Sequence, residues 1–313
     1  IAGKIAYQRK DYDTALQYFN DAHKTAREIG AKFLEAEVLM ERGVLYGAMK
    51  RNLDALTDLE GSYAIYNSLK AEGKREQTER VIDSIEKLYL EVFESMAREV
   101  DRKDEYTKGH SDRVASLALL LARELGIRGH ALKTIVAAAL LHDIGKLKIE
   151  DNILKKPGRL TDHEFDCIQK HPEVGVELLR RMEFPWDIKP LILHHHEKLD
   201  GTGYPLGLKG EDIPLGARII CIVDVFDALT SDRVYRAAYD TERALAIMLE
   251  GSGSSFDPVL LGSFSQFVRE GKADQVINSK TKKDEMFGIW SQCMDAEAED
   301  RTAPERPAME SAV

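Results

Sequence analysis

Three absences narrow this 313-residue chain before any motif is considered. Cysteine is scarce: Cys167, Cys221 and Cys293 are odd in number and far apart, which excludes a disulfide framework and points to a reducing compartment, here the cytoplasm. No apolar run approaches the roughly 20 residues needed to cross a bilayer, and no basic-then-apolar start reads as a signal peptide. A basic surplus is also missing. The formal net charge is -10, whereas a grip on a nucleic acid polymer draws most of its affinity from cations neutralising phosphates, so such a partner is excluded and a small anionic ligand is not. An initiating Met is absent too, and the expectation is that sequence precedes Ile1. What remains, 43% hydrophobic and 31% charged, is the composition of a water-soluble globular chain long enough for two domains.

The chain reads as all-α in four parts. In residues 1–75 the sequence repeats when shifted by 40: Gly3 falls on Gly43, Ala6 on Tyr46, Ala15 on Ala55, Leu16 on Leu56, Phe19 on Leu59 and Ile29 on Leu69. Small residues recur where helices would cross and large apolar ones where they would pack. The stretch "AYQRKDYDTALQYFNDAHKTAREIG" resembles a tetratricopeptide repeat with an extended period, which implies helical hairpins that bind a protein or peptide partner and do no chemistry. Residues 76–104 read as one long connecting helix with Val81, Ile85, Leu88, Val92, Met96 and Val100 on a single stripe; packing on the next domain and pairing in a homodimer are equally good uses of it. Residues 105–270 are mostly helical. "PLGARIICIVDVFDALTS" is β-branched enough to pass for a strand, but Asp224 and Asp227 are three apart and the ending suits a helix. Thr161, Asp162 and Glu164 mark a helix start. Residues 271–313 turn polar and read as a largely disordered tail.

Histidine is what the second third has in quantity: eight of nine lie between His110 and His196. In "LLHDIGK" an apolar helix runs directly into His142 and Asp143, and burying that aspartate is costly unless it is paired or bound to metal. Adjacent helix positions point about 100° apart, so the pair can surround one ion or reach between two. Imidazole and carboxylate together suit Fe, Mn, Co, Ni or Zn. Further imidazoles and carboxylates sit beside apolar segments in "YTKGHSDRVA", "CIQKHPEVG", "LHHHEKLDG" and "CIVDVFDAL", and two-metal sites in helical bundles are made by helices that present such side chains inward.

The order of these elements resembles the HD superfamily of metal-dependent phosphohydrolases. With "ILKKPGRLTDHEF", "DGTGYP", "SDRVYR" and "FDP" added, it is similar to the HD-GYP subfamily of bacterial phosphodiesterases over roughly residues 104–268. That resemblance implies an HD-type helical bundle and hydrolysis of cyclic di-GMP to pGpG, and onward to GMP in some members. It implies two divalent metals, Fe or Mn foremost, held by His110, His142, Asp143, His171, His195, His196 and Asp224, with Asp143 bridging and a metal-bridging hydroxide as the attacking group. Lys146 would meet a scissile phosphate oxygen, Arg233 and Arg236 would hold the ligand's phosphates, and Gly203, Tyr204 and Pro205 would form a loop beside the site. Members with a third metal carry a glutamate where this chain has Tyr106, so a two-metal centre is expected. Glu197 and Asp227 are expected to orient ligands from behind. His23, His130, His163 and His194 are set aside as non-ligands. Two rival readings keep different functions open: an HD-type enzyme for another cyclic dinucleotide or nucleotide, and a silent adaptor that works through its repeats.

Overall fold

The computed structural model describes residues 1–104, 109–232 and 237–278, and among these no β-strand occurs; a lone bridge pairs Ser252 with Phe256. Two compact units divide the chain. One comprises Ile1–Glu91 with Glu183–Pro185, and the other Val92–Met182 with the residues from Trp186 onward.

The first unit holds α1 (Ala2–Gln8), α2 (Tyr12–Glu28), α3 (Lys32–Ala48), α4 (Asn52–Ser68) and the first half of α5 (Glu72–Lys103). The turns between them recur every twenty residues. Lys10, Gly30, Lys50 and Lys70 all take left-handed backbone, φ between 55° and 68°, and the next N–H in each case reaches back to the carbonyl of Ala6, Ala26, Tyr46 or Tyr66 at 2.9–3.0 Å. This hydrogen bond is what makes the left-handed turn tolerable for three lysines. A forty-residue sequence repeat is therefore one helical hairpin. The equivalence extends to packing: a Cβ on Gly3 would meet the Phe19 ring at 2.9 Å, and one on Gly43 would meet Leu59 at 2.7 Å. Ile29 and Leu69 depart from the expectation, since they close the helices and stay exposed.

The apolar stripe read on α5 is also corrected. Leu88 and Val92 are exposed, while Ile82, Ile85, Leu90, Phe93, Ala97 and Val100 are buried. Ile85 and Val100 belong to both sets, and buried Glu86 completes the three- and four-residue steps of the second, so periodicity alone does not choose between them. Packing does, and Phe93 lies edge-on to Trp186 with ring centroids 6.1 Å apart.

The second unit contains the end of α5, then α6 (His110–Glu124), α7 (Gly129–Leu141), a 3-10 turn (Ile144–Lys148), α8 (Asp151–Leu154), α9 (Asp162–Gln169), α10 (His171–Leu178), α11 (Lys189–His194), α12 (Leu215–Thr230), α13 (Thr241–Glu250), α14 (Pro258–Arg269) and α15 (Asp274–Asn278). Its core is α7, whose Ile135–Leu141 run is buried all round, as an apolar helix without a polar face must be. The β-branched Leu215–Thr230 segment is helical: it packs beside α6, α7 and α11 rather than in a sheet, and Ile219, Ile220, Ile222 and Val223 are buried. Thr161 and Glu164 form a reciprocal cap, and the helix they start breaks at Lys170, just before Pro172. No described helix is long and apolar enough to cross a membrane. Cys167 and Cys221 are free thiols. Cys293 and most of the polar tail lie outside the described residues.

Candidate metal centre

Helix ends deliver most of the candidate ligands. His110 is the first residue of α6, His142 and Asp143 follow the last residue of α7, His171 opens α10, and His195 and His196 follow α11; Asp224 and Asp227 come from the body of α12. Five segments distant in sequence therefore converge, with His110, His142, Asp143, His171 and His195 buried.

The outer nitrogens of these rings are already committed. Nδ1 of His142, His171 and His195 each lies 2.7–2.8 Å from the carbonyl three residues earlier, on Ala139, Ile168 and Ile192. A carbonyl only accepts, so each Nδ1 carries the proton and each Nε2 offers a lone pair inward. His171 Nε2 and His195 Nε2 stand 3.3 Å apart with no proton available between them, which is repulsive unless a cation is shared. His142 Nε2 is buried and makes no hydrogen bond, although Asp143 Oδ2 is 3.4 Å away. His110 Nδ1 bonds to Asp227 Oδ2 at 2.7 Å, and Asp227 is itself gripped on both oxygens by Arg113, at 2.6 and 2.9 Å. Such outer partners fix ring orientation and ligand basicity.

Two triads, His171–His195–His196 and His110–His142–Asp224, each have their candidate ligand atoms within 4.8 Å of one another, and a third group, His142–Asp143–His195, draws on both and joins the two triads. Asp143 stands between them. Its Oδ1 is 3.3 Å from His171 Nε2, and its Oδ2 is 3.4 Å from His142 Nε2 and 3.8 Å from His110 Nε2. One carboxylate thus presents one oxygen to each triad. Imidazole nitrogen with carboxylate oxygen is a donor set for divalent transition ions, so the residues present fit a metal.

Electrostatics separates the triads. Burial lowers the imidazoles of the first: His171 to about 4, His196 to about 3 and His195 well below its ordinary value, so all three rings are neutral at pH 7. Burial acts the same way on His110, but the hydrogen bonds its ring donates to Asp224 and Asp227 override it and push the ring up to about 10. Burial likewise opposes charge on Asp143, yet Lys146 and His142 hold its carboxyl well below the usual range. A metal taken up here would displace the proton of His110.

Lys146 donates to Asp143 Oδ2 at 2.7 Å and lies 3.7 Å from Asp104, so its ammonium sits at the edge of the cluster between two carboxylates. The loop after His196 is anchored on the same place. Tyr204 N donates to His196 O at 3.2 Å, and the Tyr204 ring lies 4.9 Å from the His196 ring. Gly203 is pressed on backbone, where a Cβ would lie 2.3 Å from Lys198 N. Pro205 follows in the same loop. Glu197 needs a correction: it orients no ligating imidazole. Its two oxygens accept from Leu206 N at 2.7 Å and Leu208 N at 3.1 Å, so it staples the loop.

Arg233, Arg236 and Tyr106 lie outside the described residues. His194 stays out of both triads, 3.7 Å from Glu197. His130 and His163 are exposed, and His23 belongs to the first unit, 3.8 Å from Glu35. Arg113, Asp101 and Asp104 were not anticipated from sequence. Arg113 carried a signal, since it sits one turn after His110 on α6 and shares its face.

Residues 94–260 match the family of HD domains. The chain is 41% identical over 179 residues to the cyclic di-GMP phosphodiesterase response regulator RpfG of Xanthomonas campestris, covering 56% of this chain and 47% of that protein. It is 44% identical over 171 residues to 3'3'-cGAMP-specific phosphodiesterase 3 of Vibrio cholerae, covering 54% and 37%. A cyclic di-GMP phosphodiesterase of Vibrio cholerae is 35% identical over 239 residues, covering 69% and 49%. The chain spans about half or less of the length of these relatives.

Proposed function

Because the chain belongs to the HD-domain family, we propose that it is a metal-dependent phosphodiesterase that opens cyclic di-GMP to linear pGpG, and onward to GMP. The observation that carries this reading is Asp143, with one oxygen on each of two ligand triads. Two divalent ions, Fe or Mn foremost, would be held by His171, His195 and His196 on one side and by His110, His142 and Asp224 on the other, with Asp143 shared. Such a pair acidifies water and clamps the phosphoryl oxygens of an in-line displacement. The chain's own groups do the rest. Neutral Nε2 atoms are ready as ligands, and Asp227 keeps His110 turned inward. The Lys146 ammonium is at hand for charge that grows on a phosphoryl oxygen as water adds to phosphorus and the P–O3′ bond breaks. The Gly203–Pro205 loop, stapled by Glu197, walls the side where a nucleotide would lie. Arg233 and Arg236 are proposed phosphate contacts, and residues 1–75 are proposed as a tetratricopeptide-like input that takes a protein or peptide, in a cytoplasmic signalling protein.

A second substrate has its own support. The Vibrio cholerae relative named for 3'3'-cGAMP is as similar as those named for cyclic di-GMP, so both dinucleotides belong in one assay. Protein purified without oxygen and loaded with Fe or Mn is analysed for metal, then given each dinucleotide in parallel, with products separated by chromatography. Faster cleavage of cyclic di-GMP supports the reading, and faster cleavage of 3'3'-cGAMP replaces its substrate. No cleavage of either by fully loaded protein leaves the adaptor reading.

Lys146→Met is expected to keep bound metal while turnover falls by about 100-fold, the usual cost of one donor aimed at developing charge. Metal analysis beside steady-state kinetics checks this, and loss of metal in the variant would show that Lys146 holds the cluster together instead.

A further inference from the structure

The last turn of α5 touches both halves of the site without supplying a ligand. Asp101 reaches the start of α6, where its Oδ2 accepts from Gly109 N at 2.6 Å and its Oδ1 from Ser111 Oγ at 3.1 Å. These two donors flank His110. Lys103 reaches the other segment. Its ammonium donates to Leu147 O at 2.7 Å and to Ile149 O at 2.6 Å, and lies 3.7 Å from Asp151. Leu147 lies in the last part of the 3-10 turn that begins just after Asp143 and contains Lys146, and Ile149 is the residue that caps it.

Each contact is strong for a stated reason. The first N–H groups of a helix and the last carbonyls of a helical turn lack internal partners. A carboxylate at the first and an ammonium at the second also suit the local dipoles. All four bonds are charge-assisted, and so roughly twice as strong as neutral ones. Asp101 and Lys103 are two residues apart on one helix, so the spacing between the His110 segment and the Asp143–Lys146 segment is set by a rigid element. The longest of these clamp bonds is 3.1 Å. Misplacing a reacting group by about 1 Å is enough to cost 100-fold in rate.

We propose that Asp101 and Lys103 are positioning residues of the hydrolytic reaction: a clamp at the C-terminal turn of α5 that holds His110 in register with Asp143 and Lys146. The clamp rests on the phosphodiesterase reading for its effect on turnover, but not for its effect on backbone protection and metal affinity. Because α5 is continuous from Glu72, the clamp makes the end of a long helix, rather than a loop, the fixed edge of the site.

The test uses the full chain with Lys103→Met, Lys103→Arg and Asp101→Asn. In Lys103→Met, amide exchange across Ile144–Ile149 is expected to rise at least about tenfold. Metal stoichiometry should hold, and kcat should fall by about 10–100-fold at unchanged KM, the range seen when a group behind a ligand is lost. Lys103→Arg can donate to both carbonyls and is expected to recover most of kcat. Asp101→Asn keeps only one acceptor for two donors and should weaken Mn binding by about tenfold through His110. In the unmutated protein, Gly109 N–H should exchange slowly although it stands at a helix start. Wild-type exchange and kcat in Lys103→Met, a Lys103→Arg as slow as Lys103→Met, or a rapidly exchanging Gly109 in the unmutated chain would each overturn the clamp. If the unmutated enzyme hydrolyses neither dinucleotide, the phosphodiesterase reading fails, while exchange and Mn affinity still decide the clamp.

Discussion

In Asp143→Asn, bound metal and turnover are expected to fall together, turnover by about a thousandfold or more, while the helical circular dichroism keeps its shape. The size follows from position. Losing a partner behind a metal ligand already costs about 10–100-fold in affinity or activity. Asp143 is not behind a ligand but stands between two triads, with Oδ1 facing His171 and Oδ2 facing His142 and His110. The amide has the same shape and no charge, so it removes the shared anion without opening a cavity. It also leaves the Lys146 ammonium with Asp104 as its remaining carboxylate contact at this edge. Metal analysis and product chromatography on one preparation decide the matter. A variant that loses metal from one triad only, and keeps half the ions, would show that the carboxylate serves a single ion. A variant that keeps all its metal and its activity would remove Asp143 from the centre.

How far this site could be read from sequence depends on the kind of information each residue carries. His142 and Asp143 were legible because an apolar helix running into an aspartate is a local contradiction that needs a partner. The hairpins of the first unit were legible because the contact Gly3–Phe19 recurs as Gly43–Leu59, and a repeated contact leaves a repeated sequence. Asp227 was legible in part, as a carboxylate one turn from Asp224. The α5 stripe was misplaced in part, with Ile85 and Val100 buried as expected but Leu88 and Val92 exposed, because two neighbouring stripes satisfy the same period and the choice lies in what faces the helix. Glu197 was assigned to a neighbouring histidine because sequence shows adjacency, whereas its hydrogen bonds run to backbone N–H groups nine and eleven residues ahead. Asp101 and Lys103 were invisible for the same reason, since charged residues at a helix end look solvated until the chain returns to them. Partners that are backbone atoms leave no mark on residue identity.

Gly145→Ala is the test of that last kind of information, and the expected effect is large for the smallest of changes. A Cβ at position 145 would fall 1.9 Å from the His171 carbonyl oxygen and 2.7 Å from Gly175 N. Neither neighbour is a side chain that can rotate away. The 3-10 turn and the start of α10 must part by well over an ångström to reach ordinary contact. Extra carbon forced into a packed interior costs about 1–3 kcal/mol in stability, which a folded domain survives. The cost to the site is greater, because the turn carries Lys146 and adjoins Asp143, while the displaced residue is His171. The two ligands moved apart are the pair now 3.3 Å from each other across the junction of the triads. Turnover is therefore expected to fall by about 100-fold or more, with weakened metal binding, a modest loss of melting temperature and an unchanged helical spectrum. Alanine has a higher helix propensity than glycine, so a purely local view predicts a neutral or slightly stabilised variant. Metal titration and kinetics on Gly145→Ala separate the two: wild-type affinity and rate would mean that the backbone gives way elsewhere and that the approach of these two segments does not set the centre.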